Sequence, residues 1–146
     1  MIYLDTNVII YAITHDEKYG KACAGILHAI ENKELAAGAS ALVLLETAHT
    51  LRKLNAAFAV SHGNEPLIDL HASMEALLSL PITWYDMSAP ILERAVRAYP
   101  RVRTADAVHA VTAEVEGIRH ILSPDADFDN IPNLERLDPR EWKKQN

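Results

Sequence analysis

Residues 118–129, with the sequence IRHILSPDADFD, join a short apolar run to a group of acidic residues. The run Ile118–Leu122 is typical of a buried β-strand. Three carboxylates, those of Asp125, Asp127 and Asp129, follow within five residues. Like charges this close together raise the free energy of folding. The stretch therefore predicts a strand whose carboxyl end carries acids that need a compensating partner.

Short apolar runs alternate with longer helical patterns on the amino-terminal side of this stretch. The predicted strands are Ile2–Leu4, Leu35–Gly38, Ile82–Tyr85, Ile118–Leu122 and Leu134–Leu137. After a helix that starts at residues 5–7, the predicted helices are Lys18–Asn32, Ser40–Leu51, Pro66–Leu80, Ser88–Pro100 and Thr104–Gly117. Residues 51–68 lack a regular pattern. Strands separated by helices indicate an α/β fold with a mostly parallel sheet that is covered on both faces.

Length and composition predict one globular domain, residues 1–146, with 49% apolar and 23% charged residues. The single cysteine, Cys23, allows no internal disulfide and favours a reducing compartment, so we expect a cytoplasmic protein. We expect neither a signal peptide nor a membrane span. The net charge of −6 argues against binding nucleic acid through bulk positive charge, but it is compatible with an acidic site that holds a cation.

Four acids stand out by their positions. Asp5 and Asp125 follow the first and fourth strands, at the edge of a parallel sheet where ligands bind. Glu46 and Asp106 lie at the border of the packed faces of two helices. Taken alone, Asp106 fits a capping acid and Glu46 fits a local pair with Thr50 or Arg52. Taken together, the four carboxylates favour a site for Mg²⁺ or Mn²⁺ that hydrolyses a phosphodiester.

Three other acidic sites fit less well. A calcium loop starting at Asp125 requires Gly where Asn130 stands and Glu where Arg136 stands. A haloacid-dehalogenase-type phosphatase requires a second acid where Asn7 stands. A receiver domain requires an N-terminal acidic pair and a Lys after the last strand, and the sequence has neither.

Four segments together resemble PIN-domain ribonucleases, and more narrowly the VapC-type toxins of prokaryotic toxin–antitoxin pairs. They are IYLDTNVIIYA, ALVLLETAHTL, RTADAVHAVTAEVEG and ILSPDADFDNIPNLERLDP. They occur in the expected order over nearly the whole chain. The resemblance implies a three-layer α/β/α sandwich with a parallel five-stranded sheet in the order 3-2-1-4-5.

The resemblance also implies a metal-dependent endoribonuclease that uses Mg²⁺ or Mn²⁺. The catalytic, metal-holding acids would be Asp5, Glu46, Asp106 and Asp125, with Asp127 as a further ligand. Thr6, Asn7 and Ser123 match small polar residues that hydrogen-bond these carboxylates. Relatives of this type bind an antitoxin and form homodimers, so we expect both partners.

Basic and histidine side chains near the acids have two interpretations. Arg101 and Arg103 are equally compatible with contacts to RNA phosphates and with a solvated loop. His49 and His109 each follow an acid by three residues, which favours a local pair with that acid. The function also has alternatives: a non-catalytic RNA-binding or scaffold domain, or another Mg²⁺-dependent phosphohydrolase such as a phosphatase or a DNA nuclease.

Overall fold

The computed structural model of the chain describes residues 1–63 and 66–142. The strands within these residues are β1 (Ile2–Leu4), β2 (Ala37–Ser40), β3 (Ile82–Tyr85), β4 (His120–Leu122) and β5 (Glu135–Leu137). The α-helices are α1 (Thr6–Ile13), α2 (Gly20–Glu31), α3 (Ala41–His62), α4 (Leu70–Ser79), α5 (Ala89–Ala98) and α6 (Thr104–Val115). A short 3-10 helix, Ala126–Asn130, follows β4.

The five strands form one sheet in the order β3-β2-β1-β4-β5, and every neighbouring pair is parallel. The predicted α/β fold and strand order are therefore confirmed. The central strand β1 is paired with β2 on one side and with β4 on the other, through Tyr3↔Gly38 and Tyr3↔Ile121. Because both neighbours run in the same direction as β1, the carboxyl ends of the three strands meet at one edge.

Side chains of β1 alternate between two cores, as the pleat of a strand requires. Ile2 and Leu4 belong to an apolar cluster with residues of α1, α2, α3 and α4. Tyr3 belongs to a second cluster that includes Ala110 of α6 and Phe128 of the 3-10 helix. The sheet is thus covered on both faces, in the three layers that the resemblance implies.

Two helices differ from the sequence-based prediction. The helix expected over Ser40–Leu51 continues to His62 and ends at Gly63, whose φ of +89° favours glycine. Leu51 is its last fully buried residue, so the apolar pattern stops there while the alanine-rich sequence still favours a helix. Helix α4 begins at Leu70 rather than near Pro66, because the Asp69 side chain caps it by accepting the Ala72 N–H.

Strand β2 lies two residues later than predicted, at Ala37–Ser40 instead of Leu35–Gly38. All four of its residues are small and buried between β1 and β3. The prediction followed the large apolar residue Leu35, whereas the central position of β2 favours small side chains. The shift places Ser40 at the carboxyl edge and starts α3 there.

Candidate active site

A cavity of about 150 Å³ lies at the carboxyl edge of the sheet, beside the first turns of α1 and α6. Three of the four predicted acids, Asp5, Glu46 and Asp106, line it. These acids come from three separate segments of the chain, which only the fold brings together. The full lining consists of Asp5, Thr6, Asn7, Ile10, Glu46, Thr50, Arg103, Ala105 and Asp106.

Asp5 reaches the cavity from the end of β1, where its N–H donates to the Leu122 carbonyl at 3.1 Å. It is only 4% exposed, and the Ser123 hydroxyl donates to its Oδ2 at 2.7 Å. Burial raises the pKa of Asp5 above its ordinary value of 3.8, and this effect outweighs the opposing influence of His109 and Ser123. The Ser123 oxygen also accepts the Asp125 N–H at 3.0 Å, which ties the two strand ends together.

Glu46 projects from α3 and is held by two donors. The Thr6 hydroxyl donates to Glu46 Oε2 at 2.5 Å, and His109 Nε2 lies 2.9 Å from the same oxygen. Burial acts to raise the pKa of Glu46, but the hydrogen bonds of His109 and Thr6 outweigh it, so the pKa lies below 4.5. The expected local pairing of Glu46 is wrong, because its carboxylate is paired with Thr6 of α1 and His109 of α6 instead.

Asp106, Asp125 and Asp127 form the second part of the site. One carboxylate oxygen of each lies within 4.8 Å of the others, the only such group of possible metal-binding side chains among residues 1–63 and 66–142. Arg103 Nε donates to Asp106 at 2.7 Å, and its Nη2 donates to Asp125 at 2.5 Å. Arg103 Nε also lies 3.8 Å from Asp127. The guanidinium therefore neutralises part of the charge of this group.

Burial raises the pKa of Asp106 above its ordinary value, although Arg103 acts in the opposite direction. Partial burial acts to lower the pKa of Arg103, but the ion pairs with Asp106 and Asp125 outweigh this effect and raise it. The raised pKa means that the surroundings of Asp106 disfavour its charged form. A further positive charge nearby would stabilise that form.

The two arginines that are candidates for RNA contacts have different environments. Arg101 is exposed and forms no ion pair within the described part of the chain, whereas Arg103 is paired with the site acids. The Arg103 side chain is nevertheless 62% exposed, so it can reach a phosphate if it leaves these pairs. Earlier in the chain, Arg94 of α5 pairs with Glu114 of α6 at 2.8 Å.

The small polar residues have separate positions. Thr6 and Ser123 each donate to one of the acids, as described above. Asn7 lines the cavity and is half-buried, but its side chain makes no hydrogen bond with the other described residues. His49 is exposed on α3 and forms no hydrogen bond or ion pair with Glu46, so the local pair expected for it is wrong.

The sequence-based reasoning missed the hydrogen-bond partners of His109. The expected local pair with Asp106 is wrong: His109 contacts Glu46 on α3 and Tyr3 on β1 instead. His109 is 1% exposed and Tyr3 is fully buried. The sequence signal for this was the apolar face of α6 on which His109 lies, since a buried histidine requires polar partners from other elements.

Comparison with protein families gives a match to the PIN domain over residues 2–134. The chain belongs to the PIN domain family. Membership of the PIN domain family supports a nuclease, a hydrolase class that fits a group of carboxylates around a cavity. No curated protein sequence matches the chain significantly.

Solved structures similar to this PIN domain come from bacterial toxin–antitoxin systems. VapBC2 from Rickettsia felis, bound to a promoter DNA fragment, has a TM-score of 0.63 and 23% identity, with coverage of 94% of this chain and 98% of that chain. VapC20 of Mycobacterium tuberculosis, a sarcin–ricin loop cleaving toxin, has a TM-score of 0.63 and 17% identity, with coverage of 88% and 93%. A toxin–antitoxin complex from Klebsiella pneumoniae has a TM-score of 0.64 and 18% identity, with coverage of 95% and 98%. At these identities the likeness establishes the shared fold.

Among the described residues of this PIN domain, every helix is too short or too polar to cross a membrane.

Proposed function

We propose that the chain is a Mg²⁺- or Mn²⁺-dependent endoribonuclease that hydrolyses RNA phosphodiester bonds and acts as the toxin of a toxin–antitoxin pair. The observation that carries the proposal is the convergence of Asp5, Glu46, Asp106 and Asp125 at one edge of the sheet. Asp5 and Asp125 are 120 residues apart and share the Ser123 hydroxyl. Carboxylates this close together raise the free energy of folding unless a cation is bound. A metal-dependent nuclease needs such a group to hold its ion.

The side chains present fit a hard divalent ion. The possible ligands are carboxylate oxygens, which Mg²⁺ and Mn²⁺ prefer to nitrogen or sulfur. Asp106, Asp125 and Asp127 already bring oxygens within 4.8 Å of one another, and Asp5 and Glu46 face the adjoining cavity. We assign all five as the residues that would hold the ion. A bound divalent ion supplies Lewis-acid stabilisation of the charge that grows on the phosphoryl oxygens.

Neighbouring residues of the chain position these carboxylates. Thr6 and Ser123 use their hydroxyls to orient Glu46 and Asp5, and Asn7 offers a polar side chain at the cavity wall. Arg101 is exposed and free to contact an RNA phosphate, and Arg103 can do so when a cation replaces it among the acids.

Three observations support the finer parts of the proposal. The M. tuberculosis structure with the same fold is a toxin that cleaves the sarcin–ricin loop, which supports RNA as substrate. The other structures contain toxin–antitoxin complexes, which supports an antitoxin partner. The buried, unpaired Cys23 is compatible with a cytoplasmic location, and a homodimer is expected from the family resemblance.

Cleavage assays test the enzymatic part. The purified chain is incubated with single-stranded RNA, single-stranded DNA and a small phosphate ester, with Mn²⁺ or with EDTA. We expect internal cleavage of RNA only, and none in EDTA. Asp5→Asn should abolish it, whereas Asp86→Asn, which removes the same charge from an exposed residue directly after β3, should not. RNA binding without cleavage would instead indicate a scaffold domain, and cleavage of the ester or the DNA would indicate another phosphohydrolase.

Expression in bacteria tests the toxin part. Induction of the wild-type chain should arrest growth, and induction of Asp5→Asn should not. Co-expression of a small protein from the neighbouring reading frame should restore growth and copurify with the chain. Normal growth under strong expression of an active nuclease would favour housekeeping RNA processing over a toxin.

A further inference from the structure

A chain of buried polar groups runs from the backbone of β2 to the cavity. The Ser40 N–H donates to Tyr3 Oη at 3.1 Å, and Tyr3 Oη lies 3.0 Å from His109 Nδ1. At the other side of the imidazole, His109 Nε2 lies 2.9 Å from Glu46 Oε2. Tyr3 and His109 also contact each other edge to face, with their ring centroids 5.7 Å apart. The chain thus connects three secondary-structure elements to one site carboxylate.

The donors and acceptors along this chain favour one arrangement of protons. An amide N–H can only donate, so the Tyr3 oxygen accepts from Ser40, and its own proton can be donated to His109 Nδ1. With Nδ1 as acceptor, the neutral imidazole carries its proton on Nε2 and donates it to Glu46.

We propose that His109 is a positioning residue for the reaction: it fixes the Glu46 carboxylate toward the cavity, and Tyr3 selects the tautomer that allows it. This inference rests on the proposed metal-dependent nuclease. Glu46 sits on α3, and among the described residues the only other side chain that hydrogen-bonds its carboxylate is Thr6. A second donor on the same oxygen removes the remaining freedom of the side chain. Outer partners of this kind typically change metal affinity or activity by about 10–100-fold when they are lost.

Three variants separate positioning from packing. His109→Leu keeps an apolar core side chain but removes the donor, and His109→Gln offers an amide N–H to Glu46. Tyr3→Phe keeps the ring and removes only the hydroxyl. For each variant, calorimetry with Mn²⁺ gives the metal affinity, RNA cleavage gives kcat and KM, and circular dichroism with thermal melting shows that the variant is folded.

We expect His109→Leu to bind Mn²⁺ about tenfold more weakly and to lose kcat, while the KM for RNA changes less than about twofold. His109→Gln should recover most of the Mn²⁺ affinity. The affinity of Tyr3→Phe should lie between those of His109→Leu and His109→Gln. A folded His109→Leu with the metal affinity and kcat of the wild type would overturn the proposal, as would a Gln variant as defective as the Leu variant. If His109→Leu does not fold, a folded Tyr3→Phe with the Mn²⁺ affinity and kcat of the wild type would overturn the proposal.

A second measurement is independent of metal and of activity. Heteronuclear NMR of the His109 imidazole, recorded in EDTA at a pH where the ring is neutral, should show a protonated Nε2 and an unprotonated Nδ1. The opposite tautomer would overturn the proposal even if the chain is a nuclease. Conversely, a wild-type chain that neither binds Mn²⁺ nor cleaves RNA would refute the proposed function, whatever tautomer the NMR shows.

Discussion

Replacement of Arg103 by alanine should strengthen the binding of a divalent ion. In the structure the guanidinium lies between Asp106 and Asp125, with N–O distances of 2.7 and 2.5 Å. These carboxylates are among the proposed metal ligands, so an ion can use them fully only after Arg103 has left. Arg103 therefore competes with the metal, and its removal eliminates the competitor.

The expected gain can be worked out from the two ion pairs. Two unit charges 4 Å apart interact by about 4 kcal/mol at an effective dielectric constant of 20. The Arg103 side chain is 62% exposed, and measured ion pairs in such positions contribute only about 0.2–1 kcal/mol each. Loss of both pairs then corresponds to about 0.4–2 kcal/mol, or roughly a 2–30-fold increase in affinity for the ion.

Calorimetric titration with Mn²⁺ measures this gain directly, without any need for turnover. Thermal melting gives a second readout: Arg103→Ala should melt below the wild type in EDTA, because the acids lose their counter-charge, and should gain more than the wild type on addition of Mn²⁺. Arg101→Ala is the matched control, since it removes the same charge from the same loop without breaking an ion pair. Equal or weaker Mn²⁺ binding by Arg103→Ala, relative to Arg101→Ala, would refute the competition.

Three further predictions concern stability. Asp5→Asn should raise the melting temperature in EDTA at neutral pH. Burial raises the folded pKa of Asp5 above 3.8, so the wild type loses stability as the pH rises through that folded value. The melting temperatures of the two proteins should therefore converge at lower pH. Thr6→Val should lower the free energy of unfolding by about 1 kcal/mol in urea titrations, since Glu46 loses a hydroxyl donor that valine cannot replace, and an unchanged value would argue against this hydrogen bond. Phe128→Ala should lower the free energy of unfolding by about 3–5 kcal/mol, because Phe128 is fully buried beneath β1 and β4; a loss below about 1 kcal/mol would contradict its place in the core.

Local patterns predicted several elements closely. Strand β3 has the bounds that its apolar run predicts, and α5 begins directly after Ser88 with Pro90 in its first turn, a position that suits proline. The predictions were wrong where the position of a segment in the packed fold, and not its own sequence pattern, decides its secondary structure. Residues 52–62 continue α3 without a buried stripe, and the small residues of β2 form a central strand without a long apolar run.

The acidic residues of the site could be proposed from the sequence, because the segments that contain them occur in the order that the family resemblance implies. Their order after strands and within helices also predicted that Asp5 and Asp125 share one edge. Their partners were not predictable in this way. Arg103 bonds a residue 22 positions away, and Thr6 and His109 bond Glu46 over separations of 40 and 63 positions.

By itself, the sequence determined the alternation of strands and helices, the parallel sheet that follows from it, and which acids stand at strand ends. Only the tertiary structure decided that Arg103 lies among Asp106, Asp125 and Asp127, and that buried His109 connects Tyr3 to Glu46. The physical reason is the range of the two kinds of interaction. Periodicity and capping act within about one helical turn or one strand, whereas hydrogen bonds and ion pairs depend on which distant surfaces the packed core brings within 3 Å.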